Sequence, residues 1–164
     1  MESKLALYGG KPVRDTLLPY AKQMINEDDI QAVTHILKSD YLTTGPVVPQ
    51  FEKKIASYVG AKYAVAFSSG TAALHAACFA ADIKEGDEVI TTPITFAATA
   101  NSILYVGGKP VFADIDPNTF NICPQSIEKL ITPKTKAIIS VDFTGQPAAY
   151  DEIMKLARAY NLIV

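Results

Sequence analysis

The sequence predicts an α/β fold built on a mostly parallel sheet, and two observations carry that prediction. Short apolar segments alternate with helical patterns from Tyr63 to the last residue, the order that builds βαβ units. Segments such as EVITT (Glu88–Thr92) and KAIISVDF (Lys136–Phe143) are apolar in runs rather than in alternation. A sheet covered by helices on both faces requires such strands.

Each element follows from local chemistry. Residues 1–25 read as an irregular arm punctuated by Gly9, Gly10, Pro12 and Pro19. Asn26 is placed to cap a helix whose first turn holds Glu27, Asp28 and Asp29, acids that suit the positive end of the helix dipole. Ile30, Val33 and Leu37 mark one face of that helix. SDYLTTGP (Ser39–Pro46) breaks the pattern. A second amphipathic helix carries Phe51, Ile55, Tyr58 and Val59, and Gly60 is its expected C-cap. Strands are then expected at Tyr63–Phe67, Glu88–Thr92, Pro110–Ile115 and Lys136–Phe143. Helices are expected at Thr71–Ala81, Phe96–Val106, Pro124–Ile131 and Tyr150–Tyr160. Leu162–Val164 reads as the start of another strand, so the chain is expected to be the N-terminal part of a longer protein.

Composition narrows the function. The chain has 164 residues, 49% hydrophobic and 20% charged, enough to bury a core. A formal charge of -2 gives no basic footprint for nucleic acid. No apolar run is long enough to span a bilayer, and MESKLALYGGKPVR lacks a signal peptide's apolar core. Cys78 and Cys123 have no metal-like spacing, and His35 and His75 are forty residues apart. No metal site is expected, and the cysteines read as free thiols in a reducing cytoplasm.

The most informative stretch is AFSSGTAALHAA (Ala66–Ala77). An apolar segment ends in Ser68, Ser69, Gly70 and Thr71, and an alanine-rich helix follows that is expected to be buried. In a parallel sheet, ligands sit beyond the carboxyl ends of the strands. A helix N-terminus there offers free N–H groups to an anion such as a phosphate. Capping alone accounts for these residues equally well. The stretch is neither a P-loop nor the three-glycine dinucleotide fingerprint. TTPITFAATAN (Thr91–Asn101) leaves another strand at the same edge. Phe96 at that junction could stack on a planar ring or pack into the core. A phosphate cradle beside a ring platform suits a phosphorylated aromatic cofactor.

Five motifs then occur in order: SDYLTTGPVVPQFE, SSGTAAL, GDEVITTPITFAATAN, GGKPVFADID and TPKTKAIISVDFTGQP. Together they resemble the DegT/DnrJ/EryC1/StrS family of pyridoxal-phosphate-dependent nucleotide-sugar aminotransferases, from about Tyr20 to Val164. The resemblance implies fold type I, the aspartate-aminotransferase-like PLP-dependent transferase fold, with residues 26–164 as an incomplete large domain. It implies pyridoxal 5'-phosphate as cofactor and a homodimer. Carried over by position, Ser69, Gly70, Thr71 and Ala72 would hold the cofactor phosphate and Phe96 would stack on its ring. Tyr20, Asp40, Tyr41, Leu42 and Thr43, with Gly70, would contact a UDP-sugar. Within the family, SDYLTTGP and ITTPITFAATAN look most like members that aminate C4 of a UDP-4-keto-6-deoxy-N-acetylhexosamine in pseudaminic acid synthesis. Glutamate is the expected donor.

The resemblance also implies a Schiff-base lysine and a carboxylate paired with the pyridinium nitrogen. Both are expected beyond Val164, and none of the thirteen lysines present matches the family's position. Lys62 and Lys109 read as solvated surface charges, and Asp142 as structural. These 164 residues alone are therefore expected to be inactive. Two alternatives stay open: a sugar dehydratase of the same family, and a non-catalytic binding or regulatory protein.

Overall fold

A computed structural model describes residues 4–164. The chain divides into two units, one ending at Phe51 and one running Glu52–Val164.

In the first unit, a 3-10 turn covers Ala6–Tyr8 and helix α1 covers Glu27–Leu37. The Asn26 side chain accepts from the Asp28 and Asp29 N–H groups at 2.8 and 3.2 Å. Asp29 Oδ2 accepts from the Asn26 N–H at 2.9 Å, closing a capping box. Two of the helix's orphan donors are thereby satisfied, which fixes its start. No residue of α1 is buried. Helix α2 (Val47–Val59) follows and crosses the division. Gly60 has φ +70°, and the Ala61 N–H returns to Ala56 O at 2.9 Å, a glycine-terminated helix end.

The second unit holds a three-layer arrangement. Helix α3 (Gly70–Ala80) precedes strand β1 (Glu88–Thr91), and α4 (Ala98–Tyr105) precedes β2 (Lys109–Phe112). Helix α5 (Pro124–Leu130), β3 (Thr135–Ile139) and α6 (Tyr150–Tyr160) complete it. The sheet order is β2-β1-β3, and both pairings are parallel. Val89 and Ile90 show why the middle of β1 is apolar on both faces, because successive side chains enter opposite layers. Ile90 joins Ala113, Ile122, Ile127, Ile138 and Ile153 in one buried cluster. Val89 joins Cys78, Ile83, Ile103 and Ala137 in the other. Pro110 lies in β2, at the edge of the sheet, where a missing N–H is tolerated.

The amino edge is tied by Glu88. Its carboxylate accepts from Lys109 Nζ at 3.0 Å and from Thr132 Oγ1 at 2.7 Å, linking β1 to β2 and to the turn before β3. Those two hydrogen bonds, Thr132 first, hold its pKa below the ordinary glutamate value. Lys109 is therefore an ion-pair partner rather than a purely solvated charge.

Several expectations need correction. Tyr63–Phe67 forms no strand. An extended segment becomes a strand only when a neighbouring backbone pairs with it. Here the Ala66 N–H instead meets Glu52 Oε1 at 2.8 Å. The strands expected at Pro110–Ile115 and Lys136–Phe143 stop at Phe112 and Ile139. Ile115 bridges Ile122 antiparallel, and Ile163 makes one parallel bridge to Ala137. Helix α3 is not fully buried: only Cys78 is enclosed, and Phe79 is 77% exposed. One flank meets α4, where His75 and Tyr105 pack edge to face at 5.4 Å.

Candidate functional site

The N-terminal turn of α3 and the loop from β1 into α4 enclose one side of an open cavity of about 620 Å³. That volume suits a small organic ligand. Gly70, Thr71, Leu74, Phe96 and Ala98 are among the residues lining it.

Ser69 is the N-cap of α3, with extended backbone. Its Oγ accepts from the Ala72 N–H at 3.2 Å, and its carbonyl accepts from the Ala73 N–H at 3.1 Å. The Gly70 and Thr71 N–H groups are left without an acceptor among the described residues. Accepting from Ala72 does not use the Ser69 hydroxyl proton, which stays available as a donor. A Cβ built on Gly70 would meet nothing within 4 Å, so the helix mouth is open there. No lining residue is titratable. Attraction for an anion must therefore come from the two N–H groups, nearby hydroxyls and the helix dipole.

Phe96 lies five residues beyond the end of β1, before α4 begins at Ala98. The helix was expected to start at Phe96 itself. The later start leaves the ring 79% exposed and part of the cavity wall. Partly buried hydroxyls hold the end of β1 and the turn that follows it. Thr91 Oγ1 donates to Ile139 O at 2.9 Å, and Thr95 and Thr99 hydroxyls meet at 2.8 Å. A helix mouth with two free donors and an exposed aromatic face thus share one cavity. Those residues fit a phosphate-bearing planar group: an open helix mouth with two free donors, and a ring face nearby.

The remaining sequence candidates divide by unit. Ala72 adjoins the cradle, but its N–H is already taken by Ser69. Tyr20, Asp40, Tyr41, Leu42 and Thr43 lie in the first unit and are exposed. A second cavity of about 330 Å³, between α3 and the sheet, is lined mainly by apolar groups such as Leu74, Ile83, Val89 and Ile163. Its hydroxyl-bearing residues are Ser140 and Tyr150, and the Ser140 hydroxyl donates to Tyr150 Oη at 3.2 Å.

Sequence reading missed Asn121. This buried side chain donates to Gln146 O at 2.9 Å and Pro147 O at 3.1 Å, and accepts from the Phe143 N–H at 2.9 Å. It ties down the FTGQP loop after β3, where Thr144 takes a left-handed conformation with φ +53°. Asp142 accepts from the Ala148 N–H at 2.9 Å, in keeping with a structural role. Asn121's partners lie 22 to 26 residues away, so no local motif announces it.

The fold and cavity define a parallel α/β protein with a ligand-sized opening beyond the carboxyl end of its central strand. The chain belongs to the DegT/DnrJ/EryC1/StrS aminotransferase family, which matches residues 23–164. It is 50% identical over 151 residues to the spore coat polysaccharide biosynthesis protein SpsC of Bacillus subtilis, covering 92% of this chain and 39% of SpsC. Among solved structures it resembles Helicobacter pylori PseC, an aminotransferase involved in pseudoaminic acid biosynthesis. Identity there is 37% and the TM-score 0.82, over 88% of this chain and 39% of PseC. It also resembles NtdA of Bacillus subtilis, solved with bound cofactor PMP. That match has 38% identity and a TM-score of 0.79, over 85% of this chain and 33% of NtdA. The chain thus spans about two fifths of the length of the curated relatives it matches.

Proposed function

We propose that this chain supplies the cofactor-phosphate cradle of a pyridoxal-phosphate-dependent sugar aminotransferase. Its substrate in this reading is a UDP-4-keto-6-deoxy-N-acetylhexosamine, aminated at C4 with glutamate as donor. The observation that carries the reading is the cavity in which free Gly70 and Thr71 N–H groups face the same space as the exposed Phe96 ring. Family membership, the PMP bound to NtdA and the pathway named for PseC support it.

In this proposal the N–H groups of Gly70 and Thr71, with the Ser69 and Thr71 hydroxyls, hold the phosphate. Phe96 covers one ring face and keeps water from it. When bound, the cofactor carries the amino group and acts as the electron sink for C–H cleavage. Tyr20, Asp40, Tyr41, Leu42 and Thr43, with Gly70, contact the nucleotide sugar. The protein acts as a cytoplasmic homodimer. No helix among the described residues is long and apolar enough to cross a membrane.

The test is the native gene product, weighed intact before and after borohydride reduction and assayed with glutamate and the UDP-4-keto sugar. A reduced pyridoxal-phosphate adduct with glutamate-dependent amination is expected. A protein that takes up no adduct and aminates no nucleotide sugar would overturn the reading.

A further inference from the structure

The loop between α1 and α2 has an internal order that its exposure does not suggest. Tyr41 presents a ring that is 61% exposed, yet its backbone is held from two sides. On one side, Ser39 Oγ donates to Ile36 O at 2.8 Å and accepts from the Tyr41 N–H at 3.3 Å. The Ser39 hydroxyl thus links the last turn of α1 to Tyr41. On the other side stands Gly45. A Cβ built there would lie 2.6 Å from Tyr41 Cβ and 3.3 Å from Tyr41 O. The clash is with the root of the side chain and the backbone, so a rotamer change cannot relieve it. Between them Thr44, a β-branched residue, adopts a left-handed φ of +53°. L-residues of that shape avoid this region unless their surroundings impose it.

We propose that Ser39 and Gly45 are positioning residues that fix Tyr41 for nucleotide-sugar recognition. The inference rests on the reading above that Tyr41 contacts the sugar nucleotide. The chain gains a pre-ordered aromatic contact: the ring is offered to solvent while its backbone is locked. Ligand binding then need not order the loop, which would otherwise weaken affinity. Gly45 acts by what it lacks, since any side chain there displaces Tyr41. Ser39 acts as a hinge pin between helix and loop.

The experiment uses the native gene product and its Gly45→Ala, Ser39→Ala and Tyr41→Ala variants, read in two ways. Hydrogen exchange over the 39–45 peptide, without ligand, tests the holding itself. Faster exchange at Tyr41 in both Gly45→Ala and Ser39→Ala is expected, and unchanged exchange overturns the proposal whatever the substrate is. Steady-state kinetics with the UDP-4-keto-6-deoxy-N-acetylhexosamine tests the consequence. Gly45→Ala and Tyr41→Ala should each raise its KM roughly tenfold, with kcat and the KM for glutamate little changed. The double variant should be no worse than Tyr41→Ala alone, because both changes remove one contact. If Tyr41→Ala leaves KM unchanged, the assignment of Tyr41 to the sugar fails. If Tyr41→Ala raises KM and Gly45→Ala does not, that assignment stands and the positioning role of Gly45 is overturned.

Discussion

Gly108 has the least room for a side chain of any glycine in the second unit. A Cβ there would sit 2.6 Å from Ile83 Cγ2 and 3.0 Å from Ile103 Cγ2, both buried in the layer that α3 and α4 form on the sheet. Gly108→Ala must push one of these side chains out of a packed cluster. A loss of about 1–3 kcal/mol in urea unfolding is expected. Phe96 is the opposite case. Its ring is mostly exposed, so Phe96→Ala should leave the unfolding midpoint unchanged. In the proposed function it should weaken pyridoxal phosphate binding by about 0.5–1.5 kcal/mol, the worth of an aromatic stack. Equilibrium dialysis against the cofactor reads that change.

Glu88 stitches three segments at the amino edge of the sheet, and its carboxylate titrates below the ordinary glutamate range because Thr132 and Lys109 bond it. The sign follows from linkage. A depressed folded pKa means the stabilisation is complete above the unfolded value, about 4.3. It is lost as pH falls through the folded value. Glu88→Gln should therefore unfold more easily than the parent at neutral pH, and the gap should close in acid. Thermal melts across pH 3–7 read it. Elements differ in how legible they are in the sequence. Asn26 with three following acids announces its capping box because every partner is within three residues. Runs such as EVIT announce a two-faced strand because burial on both sides needs consecutive apolar residues. Tyr63–Phe67 is more apolar still and is no strand, because pairing depends on a neighbour that composition does not specify. The open helix mouth at Ser69–Thr71 shows in the sequence as a capping pattern, whereas Asn121 does not show, since its partners are remote in sequence.

Across the whole molecule, apolar surface is distributed unevenly. In the first unit the face of α1 bearing Ile30, Val33 and Leu37 is exposed. In the second unit Tyr63, Val65 and Phe79 are exposed as well. Monomeric proteins rarely leave such surface uncovered. The 164 residues expressed alone should bind a hydrophobic dye such as ANS and self-associate in sedimentation velocity. A single sharp monomer boundary without dye binding would contradict that. The proposed cavity is lined by no lysine, so the same preparation should show no glutamate-dependent amination.

In the proposed function Gly70, Thr71 and Phe96 receive a phosphorylated ring. A crystal structure of the native gene product soaked with pyridoxal phosphate tests it most directly. The phosphate is expected within hydrogen-bond distance of the Gly70 and Thr71 N–H groups, with the ring against Phe96. A phosphate bound elsewhere, with those two N–H groups turned to other protein atoms, would contradict it.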